Sequence, residues 1–489
     1  MVSLSWHQLK TIAWEELNQP QYLVYHEGQP LGTKAADVPS DASAVNYDQC
    51  FVRDFVPVGL VYLIKNQPIA GLNGESVSSR AVVGNFLATI LKLQITPALT
   101  QALERSPGMM PASFKVENNI LKADYGERAI AQVTPVDSCL WWLILLQAYY
   151  RACIQDQTEL HSDLFEGDQP QPRLRRAIRL ILSLYLSHRF DNEPMILVPD
   201  GAGMMDRRMG LNGYPLEIQT LFYAGLQVAR DFLKPGEPYQ ALIKRRIHRL
   251  QRQLREDYWL DLRRLRVLYQ AQSEQYDSTP SSDSEDQFFN KYNLYPESIP
   301  YEHLIQWLPE NAGYLVGNLG PSHLDCRFFA IGNLMGVMSN LLPQAQAKRI
   351  LDLIYLRHED LLGEMPMKVC YPALEGLEWQ LVTGCDPKNK PWSYHNGGSW
   401  PMLTWMLAAA TLKVEHTGLT EQLREDIMNA GNRLHQDQWP EYYDGGNGRL
   451  IGRMARRRQT WSIAGILLAQ EFLDQPQNLS LIHFGEPPT

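Results

Sequence analysis

The 489-residue sequence predicts an all-α protein, on three observations. Apolar residues recur at spacings of three and four, strand-like alternation is rare, and long connectors rich in Gly, Pro, Trp and Tyr separate the periodic stretches. The clearest stretch carries Leu174, Ala177, Ile178, Ile181, Leu182 and Tyr185 on one helical face. In chain order, similar helices are predicted over about 80–104, 136–153, 215–233, 240–258, 345–362, 398–414 and 459–473. Within 240–258, Ile243, Ile247, Leu250 and Leu254 share a face, so the basic run from Lys244 to Arg255 is the solvated opposite face.

Composition narrows the function classes. Hydrophobic content of 45% with 20% charged residues suits a globular chain able to bury a large core. A net charge of −9 argues against a nucleic-acid partner, despite the local cluster Arg453 to Arg458. The six cysteines show neither CxxC nor Cys/His ligand spacing, which points to a reducing compartment rather than zinc or disulfides. The N-terminus lacks the apolar run of a signal peptide, and the greasiest stretch, LWWLILL, is far shorter than the roughly 18–20 residues of a membrane span. No membrane partner and a cytoplasmic location are therefore expected. The polar, acidic stretch 271–287 reads as a mobile, non-catalytic insertion within a single domain covering 1–489, because the texture is alike on both sides.

Four connectors concentrate carboxylates, guanidiniums, aromatics and glycines: NYDQCFVRDF (46–55), VPDGAGMMDRRMGLNGYPLEIQ (198–219), DPKNKPWSYHNGGSWP (386–401) and WPEYYDGGNGRLIGR (439–453). Such a mixture suits a sugar, whose faces stack on aromatic rings and whose hydroxyls pair with Asp and Arg. Phosphate-cradling glycine motifs and a GxSxG elbow are both absent. Cleaving a glycosidic bond needs one carboxylic acid and one carboxylate. Asp48, Asp54, Asp137, Asp200, Asp206, Glu217, Glu441 and Asp444 all qualify, and composition does not choose among them. His395 and His323 lack spaced partners for a metal and read as structural residues. In MMDRRMG, Asp206 precedes two arginines, which would lower its pKa, whereas a general acid needs a raised one.

FVRDF, DGAGMMDRRMG, GYPLEIQ, KVCYPALEGLEW, TGCDPKNKPWSYHNGGSWP and EYYDGGNGRLIG, in that order over about 46–470, resemble the alkaline/neutral invertase family. The resemblance implies an (α/α)6 barrel, a toroid of six inner and six outer helices whose long connectors form the site at one mouth. It implies hydrolysis of sucrose with inversion at the glucosyl carbon, no cofactor or metal, and a homo-oligomer of up to six chains. By the same resemblance Asp206 is the general acid and Glu441 the general base. Arg53 and Asp54 would grip glucose hydroxyls, while Asp48, Asp137, Gln219 and His395 would line the pocket. Trp400 and Tyr442 would either stack on a sugar or fill the core. Arg453 would face the fructosyl side, where GRMARRRQTW departs from the family pattern. The expected geometry turns the guanidinium of Arg207 or Arg208 away from Asp206. The alternatives are an (α/α)6 enzyme acting on trehalose or a maltosaccharide, and a sugar-binding relative without activity.

Overall fold

The computed structural model describes residues 4–37, 46–71, 76–103, 105–127, 133–188, 190–198, 203–205, 209, 212–273, 295–297, 301–320 and 323–485. Among these, twelve helices build two concentric rings. In chain order they are α1 (Trp6–Leu17), α2 (Val52–Lys65), α3 (Ser79–Leu93), α4 (Ser138–Gln155), α5 (Pro172–Tyr185), α6 (Leu216–Phe232), α7 (Pro238–Gln253), α8 (Ala330–Met338), α9 (Gln344–Leu356), α10 (Thr404–Val414), α11 (Thr417–Gln436) and α12 (Thr460–Asp474). Each even-numbered helix packs on the next even-numbered one, and α12 returns to α2, so the inner ring closes. The odd-numbered helices pack outside it. This is the expected (α/α)6 barrel.

Composition explains which helix goes where. An inner helix is covered on all sides and is therefore apolar on all sides. In α4 every residue from Ser138 to Tyr149 is buried. An outer helix has one wet face: α5 buries Leu174, Ala177, Ile178, Ile181, Leu182 and Tyr185 and leaves Arg173 and Arg176 exposed. Proline opens both α5 and α7, where the missing N–H removes a donor that would have no partner inside the helix. The helix expected over 80–104 is in fact two, Ser79–Leu93 and Pro97–Leu103, and the one expected from 398 starts as a 3₁₀ turn at Pro401.

The inner helices all begin at the same mouth, and a small sheet frames it. Strand β1 (Tyr214–Pro215) pairs with β2 (Tyr314–Gly320), which runs antiparallel to β3 (His323–Phe329); β3 in turn pairs with β4 (Cys370–Tyr371). β1 feeds α6 and β3 feeds α8, so the sheet fixes where those two helices start. A Cβ at Gly317 in β2 would sit 2.0 Å from the Phe329 ring, which makes glycine obligatory for this pairing. At the other end of the barrel the 3₁₀ segment Pro476–Ile482 packs on α4 and α12, with Arg151 donating to the Ser480 carbonyl at 3.3 Å. Of the acidic stretch 271–287, residues 271–273 end the helix Leu262–Ser273, and 274–287 lie outside the described residues. Among the described residues no helix is long and apolar enough to cross a membrane.

Candidate active site

Three carboxylates stand at the N-terminal ends of three successive inner helices. Asp54 is in the first turn of α2, Asp137 is the residue before α4, and Glu217 is in the first turn of α6. Helix N-termini present unpaired N–H groups and a partial positive charge, which favours anions there. Asp137 makes no side-chain cap bond to its own helix, so its carboxylate is available to a neighbour. That neighbour is Arg53, whose Nη1 donates to Asp137 Oδ2 at 2.8 Å and whose Nε lies 4.0 Å from Asp54 Oδ1. Among the described residues the Arg53 Nε–H has no hydrogen-bond partner.

Among the described residues one guanidinium thus serves a cluster of acids, and burial dominates their protonation. Burial pushes the Asp54 carboxyl up to about 7 against the pull of Arg53, with Glu441 and Asp137 adding to the rise. Burial likewise raises Asp137, again opposed by Arg53. Glu217 is pushed up to about 7 by burial and then by Asp137. This end of the site holds protons near neutral pH.

Glu441 forms the opposite end. It lies in the connector between α11 and α12 and is 3% exposed. Tyr47 Oη donates to its Oε1 at 2.9 Å, the Arg456 N–H donates to Oε2 at 3.4 Å, and Lys388 Nζ stands 3.7 Å from Oε2. Lys388 also donates to Tyr47 Oη at 3.3 Å and lies 3.7 Å over the Tyr394 ring. The main chain is held as firmly: Glu441 N–H donates to the Arg456 carbonyl at 2.7 Å, and the Ser462 hydroxyl donates to the Pro440 carbonyl at 2.9 Å. Two donors and a cation are thus gathered around the Glu441 carboxylate. The site therefore combines carboxyls raised by burial at three helix starts with a connector carboxylate ringed by donors.

The aromatic wall behind Glu441 is core. Trp400 is 1% exposed, stacks on Tyr442 at 5.2 Å and 17°, meets Trp461 edge-on at 5.5 Å, and donates its Nε1–H to the Tyr394 carbonyl at 3.1 Å. Tyr442 is fully buried, with its hydroxyl between Ser393 Oγ and the Arg453 carbonyl. Of the two roles expected for Trp400 and Tyr442, core filling is the one this packing describes. His395 is buried and stacked on Tyr394 at 3.9 Å. Asp48 is exposed on the turn beside Tyr47, and the Arg453 side chain is exposed. Asp444 accepts from the Gly446 and Asn447 amides at 3.1 and 2.9 Å, so it caps a turn.

Gln219 departs from its expected place in the pocket lining. It is fully buried two residues past Glu217; its Oε1 accepts from Ile196 N–H at 3.0 Å and its Nε2 donates to Ile196 O at 2.8 Å. Both ends of the amide serve a backbone segment, because an inner helix points only part of its circumference at the mouth. Gln219→Leu should cost about 2–4 kcal/mol of stability by leaving two buried backbone groups unpaired. A thermal melt paired with kcat checks it: a lowered Tm with kcat within about twofold is expected, and an unchanged Tm with lost turnover would return Gln219 to the pocket.

Asp200, Asp206, Arg207 and Arg208 lie outside the described residues, as does the side chain of His323. The residue just before Asp206 is placed: Met205, with Met204, is anchored on Glu217, whose Oε1 accepts from Met204 N–H at 2.7 Å and Oε2 from Met205 N–H at 3.1 Å. Sequence reasoning missed Tyr47, Lys388 and Arg456 as partners of Glu441. The first two sit inside the motifs singled out above, but Tyr47 and Glu441 are 394 positions apart, and only the closed ring joins them.

Comparison with known proteins gives three consistent findings. A family model described as alkaline and neutral invertase matches residues 13–476. "Probable alkaline/neutral invertase F" of Arabidopsis thaliana is 44% identical over 99% of this chain and 92% of its own, and "Cytosolic invertase 1" of Oryza sativa subsp. japonica is 43% identical over 98% and 81%. A solved structure described as "Glycosidase Wild Type" superposes with a TM-score of 0.51 at 13% identity, covering 97% of each chain, a likeness of fold alone.

Proposed function

Because the chain belongs to the alkaline and neutral invertase family, we propose that it hydrolyses sucrose to glucose and fructose with inversion at the glucosyl carbon. Asp206 is the general acid in this reading and Glu441 the general base. The hold on Glu441 by Tyr47, Arg456 and Lys388 is the observation that carries it. Asp206 gives its proton to the glycosidic oxygen as the bond from glucose C1 to that oxygen breaks. Glu441 removes a proton from a water that attacks C1 from the opposite face, and β-glucose and fructose leave. Inversion requires the two carboxyls to stand about 6.5–9.5 Å apart, room enough for that water.

Arg53 and Asp54 orient the glucosyl ring. Arg53 has an unengaged Nε–H, and Asp54 accepts no hydrogen bond among the described residues, so a donor and an acceptor await sugar hydroxyls side by side. Orientation of this kind supplies a substantial part of the barrier reduction. Asp137 keeps Arg53 in place. Cytosolic residence belongs to the same reading, supported by six unpaired cysteines and the rice relative's name, as does assembly into a homo-oligomer.

A substrate panel tests the proposal. Purified protein should release glucose from sucrose at least about a hundredfold faster than from trehalose or maltose, since the unpaired polar groups of a misfitted site cost that much or more. Release from trehalose or maltose with sucrose left intact would assign the barrel to another glucoside.

A further inference from the structure

Glu217 takes no part in the reaction as proposed, yet it is one of the most deliberately placed carboxylates in the barrel. Its two oxygens accept separately from two consecutive amides, Met204 N–H at 2.7 Å and Met205 N–H at 3.1 Å. Gly203 lies against it so closely that a Cβ there would come 2.8 Å from Oε1. The Met204 and Met205 side chains are buried, 2% and 6% exposed, so the segment is seated from both sides. Met205 immediately precedes Asp206 in the chain.

We propose that Glu217 is the positioning residue for the loop that carries Asp206: ionised, it clamps the Met204 and Met205 amides and fixes the reach of the acid; protonated, it releases them. The inference rests on the reading of Asp206 as the general acid. Its chemistry is that only the carboxylate offers acceptors at both oxygens, whereas a carboxylic acid turns an O–H donor toward one of the two N–H groups. The groups that face Glu217 decide when this happens. Arg53 from α2 favours the anion, and Asp137 from the start of α4 opposes it. Among the described residues, the small cavity on that side is otherwise lined by uncharged residues, Met205, Pro215, Phe329, Ile331 and Val369 among them. With burial as the dominant influence, Glu217 titrates at about 7, so the clamp is closed in mildly alkaline solution and opens on acidification.

The test is Glu217→Gln in the full chain, read in two ways. Glutamine keeps one acceptor, turns an N–H₂ toward the other amide and cannot titrate. Amide hydrogen exchange of 203–209, corrected for intrinsic rates, should quicken at least about tenfold in the native protein between pH 8 and pH 6, and should be fast at both pH values in the variant. At pH 8 the variant's kcat on sucrose should fall about 10- to 100-fold with KM within about threefold, as expected for a catalytic group held about 1 Å out of place. Glu217→Asp, which restores an ionisable carboxylate, should recover the pH dependence of exchange. Asp54 titrates in the same range, so exchange rather than the rate profile identifies Glu217. Native exchange and native kcat in Glu217→Gln would overturn the proposal, and so would protection lost evenly across the whole barrel. A native protein inactive on sucrose would sink the sucrose reading, while the exchange arm would still decide the clamp.

Discussion

Replacing Glu441 with Gln should lower kcat on sucrose about a thousandfold while leaving KM and the melting temperature nearly unchanged. The amide oxygen can still accept from Tyr47, so the connector stays where the acid held it, but an amide cannot take a proton from water. Asp206→Asn should show a loss of similar size, because departure of the fructosyl oxygen then lacks its proton. Steady-state kinetics beside a circular-dichroism melt separates loss of chemistry from loss of fold. More than a tenth of native turnover in Glu441→Gln would move the base elsewhere.

Asp54→Asn should separate function from stability in opposite directions. Turnover should fall about a hundredfold or more, since the acceptor that orients the glucosyl ring becomes part donor. Stability should rise at alkaline pH. In the folded protein Asp54 titrates at about 7, well above an unfolded aspartate, so between about pH 4 and 7 the folded state binds more protons than the unfolded one. Stability from this group is therefore fully present below the unfolded pKa and is lost as pH rises through 7. Asparagine is neutral throughout and removes that loss, a gain of about 2–4 kcal/mol at pH 8 that vanishes at pH 4. Melts of both proteins at pH 8 and at mildly acidic pH check the sign. An Asp54→Asn variant less stable than native at pH 8 would mean that Arg53 outweighs burial.

The same physics explains what was legible in the sequence. Outer helices such as α5 declare themselves because water on one face and core on the other leave a three-four rhythm. The inner helices α2 and α8 have no wet face and hence no rhythm, and α2 is further disguised by Pro57, which removes a backbone donor within the helix. The seven-residue strand β2 is buried along its whole length, so it shows no alternation either. α11 was legible and was passed over: Leu419, Leu423, Ile427, Ala430 and Leu434 mark one face at spacings of four, four, three and four. At the site, the carboxylates Asp54, Asp137, Glu217 and Glu441 all stood out by residue type. Their division of labour did not, because it depends on contacts between Tyr47 and Glu441, Arg53 and Asp137, and Glu217 and the Met204–Met205 backbone. Asp206, Arg207 and Arg208, on which the question posed by MMDRRMG turns, lie outside the described residues. What the described residues do show is a backbone clamp just before Asp206, with Glu217 accepting from the Met204 and Met205 amides.

In the proposed mechanism Asp206 and Glu441 cleave sucrose by a single displacement at the glucosyl carbon. Proton NMR of the first sugar released, followed from the moment of mixing, tests it most directly. β-Glucose should appear first, with α-glucose following only at the rate of spontaneous mutarotation. Initial α-glucose would contradict it, because retention requires a nucleophile at about 5–5.5 Å from the acid rather than a water-activating base.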